Sequence, residues 1–133
     1  MPETPFSVAQ PKTLGDLVVR VLDADFTYGS GTLLNAGGAA VTFEIGTVLG
    51  KVTASGKLVP LAPGASDGSQ TVAALLGDRV TVAAGAEAVK LTVDRMAILR
   101  DSQVVWPAGI TGPQKTTAIG QLASLHILIR EDV

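Results

Sequence analysis

The feature that most limits what this chain can fold into is how often its apolar runs are cut. Glycine and proline together supply 22 of the 133 residues (15 Gly, 7 Pro), and they fall between short stretches rich in β-branched residues. Runs of that length, bounded by turn residues, read as strands rather than helices. Leu17–Leu22 is the first. Val41–Ile45 alternates, with Val41, Phe43 and Ile45 on one side. Thr47–Thr53 and Lys57–Leu61 flank Ala54-Ser55-Gly56, a hairpin-like break. Val72–Leu76 and Val80–Ala83 flank the turn residues Gly77-Asp78. Glu87–Asp94 sets Val89, Leu91 and Val93 on one face against Lys90, Thr92 and Asp94 on the other. Met96–Leu99 and Gln103–Trp106 are expected to pair as a hairpin about Asp101-Ser102, with Pro107 ending the second strand. His126–Arg130 alternates again. Between the first two strands, Asp23–Gly38 is rich in Asp, Gly, Ser and Asn and reads as loop.

One short helix near the C-terminus is expected, capped by Thr116 or Thr117 and running to Leu122 or Ala123, with Gly120 as a weakness of about 1 kcal/mol. The first fifteen residues differ from the rest. Pro2, Pro5 and Pro11 block regular structure there, and Phe6 and Val8 would share one side of an extended segment. The expected organisation is a flexible arm over residues 1–15 and a single mainly-β domain over residues 16–133. Barrels, sandwiches and irregular β folds all fit such a pattern.

Charge narrows the function. Charged residues make up 17% of the chain, where about 25% is usual, while 47% are hydrophobic. Part of the apolar excess is therefore expected to face another protein chain. A net charge of −2 with 4% aromatic residues provides neither the basic stripe nor the stacking platform of a nucleic-acid reader. Absent cysteine removes disulfides, thiol catalysis and thiolate metal sites. The N-terminus has no charged-then-apolar leader pattern, and no apolar run is long enough to span a bilayer. No membrane partner is expected.

The chemical motifs fail one by one. Gly46-Thr47-Val48-Leu49-Gly50-Lys51-Val52 is one residue short of a phosphate-binding loop and lacks the hydroxyl after Lys51. Gly29-Ser30-Gly31-Thr32-Leu33-Leu34 lacks the third glycine of a dinucleotide fingerprint. Asp23-Ala24-Asp25-Phe26-Thr27-Tyr28-Gly29 resembles a calcium loop, yet its glycine is one place late and Leu34 stands where a bidentate Glu is needed. His126, the single histidine, has no nucleophile elbow to serve. Scattered carboxylates do not point to a glycosidase pair. No catalytic residue, cofactor or metal site is expected, and a structural or binding role is favoured.

From about Gly46 onward the chain resembles the head decoration proteins of tailed phages. The resemblance rests on Gly46–Val52, Ser66-Asp67-Gly68-Ser69-Gln70-Thr71 and the Val80–Leu99 strand region. Its most specific piece is Val104-Val105-Trp106-Pro107, followed by the polar linker Lys115-Thr116-Thr117-Ala118 and a β-like C-terminus. Residues 16–45 carry strand-like material beyond that family's plan.

The resemblance implies a β-clip-like domain, assembled as a homotrimer, on the outer surface of the virion capsid after synthesis in the host bacterial cytoplasm. Its partner would be the major capsid protein, whose neighbouring subunits it clamps without catalysing a reaction. In that family the N-terminal segment orders on the capsid and adds to its strands. Here that segment is Thr4, Pro5, Phe6, Ser7 and Val8, with Phe6 and Val8 as the apolar anchors. Trp106 and Pro107 are read as core or trimer contact. Two alternatives remain open: a tail, baseplate or carbohydrate-binding β module of a phage particle, and a β-clip enzyme similar to nucleotide pyrophosphatases. The second would need clustered acids and a phosphate loop.

Overall fold

The computed structural model of the protein describes residues 12–21 and 23–131. It is mainly β, as expected. Two one-turn helices lead into strands: α1 (Leu14–Leu17) into β1 (Val18–Val21), and α2 (Ala24–Thr27) into β2 (Tyr28–Leu34). Then come β3 (Val41–Phe43), β4 (Val48–Lys51), β5 (Leu58–Pro60), β6 (Val72–Leu76), β7 (Val80–Val82), β8 (Glu87–Val93) and β9 (Ala97–Arg100). The 13-residue helix α3 (Gly112–Ser124) and β10 (Ile127–Arg130) close the chain.

Five strands close into a small barrel in the order β2-β5-β4-β6-β8. β9 lies between β1, antiparallel, and β10, parallel, in a separate three-stranded sheet. β3 and β7 form a two-stranded ribbon. Two apolar clusters result. One joins barrel, sheet and helix through Leu17, Leu75, Val93, Leu99, Leu122 and Ile127. The other consists of Leu33, Phe43, Leu49, Leu58, Leu76 and Val82, at the ribbon side of the barrel.

Several expectations hold locally. The 47–53 and 57–61 runs pair as an antiparallel hairpin, with Gly50 opposite Val59. β10 buries Ile127 and exposes Leu128 and Arg130. Others are corrected. The loop expected over Asp23–Gly38 contains β2, whose seven residues pair antiparallel with Glu87–Val93. Its glycines are not turn signals. A Cβ on Gly31 would run into the Leu58 side chain, and one on Gly29 into the Asp94 carboxylate. The strand needs small residues where barrel neighbours approach.

Met96–Leu99 does not pair with Gln103–Trp106. β9 is already flanked on both edges, Asp101–Gln103 forms a 3₁₀ turn, and Val105 instead bridges Thr47. The bridge is held by Val105 N–H to the Gly46 carbonyl at 2.9 Å and Val48 N–H to the Val105 carbonyl at 3.1 Å. Val72–Leu76 and Val80–Val82 also part company, since β7 takes β3 as its partner.

The helix starts five residues earlier than Thr116 would place it, and six earlier than Thr117 would. Thr111 and Gln114 form a reciprocal box: Gln114 N–H donates to Thr111 Oγ1 at 3.2 Å, and Thr111 N–H to Gln114 Oε1 at 3.0 Å. Pro113 in the first turn costs nothing there. Gln121 in turn accepts from Val72 N–H at 2.9 Å, tying the helix to the start of β6.

Candidate binding surfaces

The motif residues rejected for chemistry have structural duties. Asp23 caps α2 by accepting from Asp25 N–H at 2.9 Å. Gly46–Lys51 lies on the approach to β4 and along it, with Gly46 at φ +94°. Gly29 and Gly31 belong to β2. Among the described residues, no three His, Cys, Asp or Glu side chains group to hold a metal. No helix among them is long and apolar enough to cross a membrane.

Thr4, Pro5, Phe6, Ser7 and Val8 lie outside the described residues. The point from which that segment departs is described. Lys12 Nζ donates to the Gln103 carbonyl at 2.6 Å. Burial holds the Lys12 pKa below the usual lysine value, and the nearby charges of Glu44 and Asp16 only partly offset this. Asp16 accepts from Thr13 N–H at 2.8 Å, which turns the chain into α1, and Leu17 is then fully buried.

Gln103 is three residues before Trp106, so the root of the N-terminal segment and the Trp-Pro step lie on neighbouring backbone. Trp106 is half-buried and packs against the larger core, as does Ile110. Lys115 Nζ lies 5.4 Å from its ring centroid, at cation–π range. The indole N–H is buried and has no hydrogen-bond partner among the described residues. Pro107 opens a turn closed by Ile110 N–H to the Pro107 carbonyl at 3.2 Å. Gly109 takes the positive φ (+77°) that this turn demands at its third position. The step thus feeds the chain from the barrel into the cap of α3.

Nothing in the sequence pattern singled out Lys12 or Lys115. The signal for Lys115 was its place four residues after the true helix cap, visible only once Thr111 is recognised.

The described surface is also unusually apolar in places. Val89 is 67% exposed and Phe26 59%, with Leu91 and Leu128 exposed as well. The apolar face of β8 therefore looks outward at Val89 and Leu91 and inward only at Val93, while Thr92 is buried. Thr92 Oγ1 donates to Asp94 at 2.6 Å, satisfying the buried hydroxyl.

A short-stranded β domain with a Trp-Pro step leading into a capped C-terminal helix is the setting in which the comparison with known families is decisive. The profile of the bacteriophage lambda head decoration protein D family matches residues 7–127. The chain belongs to that family. No individual curated protein matches it. The family match begins well before Gly46, so the likeness extends over residues 16–45 as well, beyond the part of the chain that carried it in the sequence. That stretch holds β1 and β2. β2 is one of the five strands that close the barrel, and β1 forms one edge of the three-stranded sheet. Head decoration proteins are structural components of the phage virion, at the capsid.

Proposed function

We propose that the chain binds the outside of the expanded phage head as a homotrimer and stabilises contacts between major capsid protein subunits. The observation that carries this reading is the head decoration family match over residues 7–127. Two physical facts support the assembled state. The charged fraction is low, and large apolar side chains such as Val89 and Phe26 stand in water in the single chain.

In this reading residues 1–15 are the capsid-binding arm, with Phe6 and Val8 as anchors. About five main-chain hydrogen bonds at roughly 1 kcal/mol each would be nearly cancelled by ordering five residues at about 1–2 kcal/mol each. Burial of Phe6 and Val8, about 1.5–3 kcal/mol apiece, would provide the surplus. One such arm is a weak ligand. Three on a rigid trimer gain about 10²–10⁴ in avidity. The Lys12 anchor fixes where each arm leaves the body, which shortens the search for its site.

The test is solution mass by light scattering, then co-sedimentation with expanded heads. Three chains give about 40 kDa. A trimer that pellets with heads supports the reading. A trimer that ignores heads transfers the function to another particle module, and a monomer that ignores heads removes the assembly reading altogether.

A further inference from the structure

The outer face of the three-stranded sheet concentrates positive charge around an apolar cleft. β9 points Ala97 and Leu99 inward, leaving Ile98 and Arg100 on the outer face. β10 pairs with it residue for residue, setting Leu128 beside Ile98 and Arg130 beside Arg100. β1 brings Arg20 opposite Ile98 on the other edge. A cleft of about 420 Å³ lies here, its walls including Arg20, Met96, Ile98, His126 and Leu128. Leu128 is 53% exposed in it.

Three observations set this face apart. First, Arg20, Arg100 and Arg130 are all exposed, and none forms an ion pair among the described residues, whereas Lys57, Arg79 and Lys90 each meet an acid. Second, Arg100 and Arg130 are in register on adjacent strands, about 4.8 Å apart at the backbone, an arrangement of like charges that costs stability. A chain of net charge −2 does not produce such a cluster by composition alone. Third, Met96 and His126 have φ of 58° and 59°, the only non-glycine residues at positive φ among those described, and both line the cleft. Strained backbone of this kind persists where its surroundings hold it, often at ligand clamps.

We propose that this face docks an acidic, extended segment of a partner protein. Carboxylates would engage Arg20, Arg100 and Arg130, and an aliphatic side chain would fill the cleft between Ile98 and Leu128. Guanidinium forks suit carboxylates bidentately, and a carboxylate shared by Arg100 and Arg130 removes their repulsion. The cleft walls carry no Phe, Tyr or Trp on which a base could stack, which disfavours nucleic acid. Among the described residues β10 is paired on one side only, so an extended segment also finds main-chain groups at that edge. The inference goes beyond capsid decoration and does not depend on it, because the face belongs to the single chain.

The test uses the full chain and a short fluorescein-labelled peptide alternating Glu with Leu, read by fluorescence anisotropy. Controls are the same peptide with Lys for Glu and a short oligothymidylate. The Glu peptide is expected to bind, the Lys peptide not, and raising salt to weaken binding. Arg100→Gln with Arg130→Gln should weaken binding at least about tenfold, and Leu128→Ser should do so at an unchanged melting temperature. Failure of the Glu peptide to bind, or binding indifferent to both variants and to salt, overturns the proposal. Tighter binding of oligothymidylate overturns it in favour of a general polyanion patch. Self-association lost equally in Arg100→Gln/Arg130→Gln and in Asp23→Asn/Asp25→Asn also overturns it, by making a second copy's acidic α2 turn the occupant.

Discussion

Single residues in this protein are constrained by backbone as much as by packing. Gly46 sits at φ +94°, and a Cβ there would strike the Gln103 carbonyl, the same carbonyl that holds Lys12. Gly46→Ala is expected to cost at least about 1–2 kcal/mol in urea unfolding, from the left-handed backbone alone. A smaller change would mean that the loop relaxes freely. Trp106→Ala is expected to lose about 3 kcal/mol, the low end for a buried aromatic, because the ring is only half-covered. Lys115→Ala, which removes only the cation over the ring, should cost about 0.5–1 kcal/mol. An unchanged melting curve for Trp106→Ala with lost head binding would instead make the ring an interface contact. Asp67 offers a check on protonation. The Ser69 hydroxyl (2.5 Å) and Ser69 N–H (3.0 Å) both donate to its carboxylate and hold its pKa below the ordinary aspartate value. The ionised form is therefore the one the fold favours, and its contribution is present above the unfolded pKa and lost as pH falls through the lowered folded value. NMR titration should find Asp67 below the ordinary aspartate value, and Ser69→Ala should move it back up.

At the scale of elements, the joints between strands carry the risk. Asn35 is buried just after β2, where its Nδ2 donates to the Ala39 carbonyl at 2.8 Å and the Val82 carbonyl at 2.9 Å. It clips the β3–β7 ribbon to the barrel. Asn35→Leu removes the donor and strands those carbonyls, at an expected cost of about 1–3 kcal/mol in thermal or urea unfolding. α3 has an analogous dependence on its cap. Thr111→Ala should cost about 1 kcal/mol, whereas Thr116→Ala and Thr117→Ala, at exposed helix positions, should change little. Equal effects at all three positions would put the start of the helix elsewhere. The capping box Thr111-Gly112-Pro113-Gln114 was legible in the sequence as a hydroxyl followed three residues later by Gln. The glycine between them and the choice of a later threonine hid it.

At the scale of the whole molecule, stability and assembly should separate. The two apolar clusters are drawn from Leu14 onward among the described residues, so deletion of residues 2–10 should leave the melting temperature and the trimer mass unchanged while abolishing co-sedimentation with heads. Undiminished head binding would remove the arm from the mechanism. The apolar exposure at Val89 and Phe26 belongs to the same scale, and a trimer or capsid contact that covers it should protect both side chains from solvent in the assembled particle.

From the sequence alone it follows that the chain is built of short strands, because the apolar runs are short, rich in β-branched residues and bounded by turn residues, mostly glycine, proline, aspartate and serine. The local hairpin of β4 and β5 and the alternation of β10 follow as well, where partners are near in sequence or the pattern is period two. Family kinship was legible from Val104-Val105-Trp106-Pro107 and its flanks. Tertiary structure alone decided which strands pair. β2 exists because β8 lies beside it, and β9 takes β1 and β10 rather than the Gln103–Trp106 run that follows it. Those pairings join residues up to about eighty positions apart, as Val18 with Leu99, and hydrogen-bonding capacity is the same for every backbone, so no local pattern encodes the choice. The arginine face was hidden for the same reason. Arg20, Arg100 and Arg130 are far apart along the chain, and they share a surface only because β9 has a strand on each side.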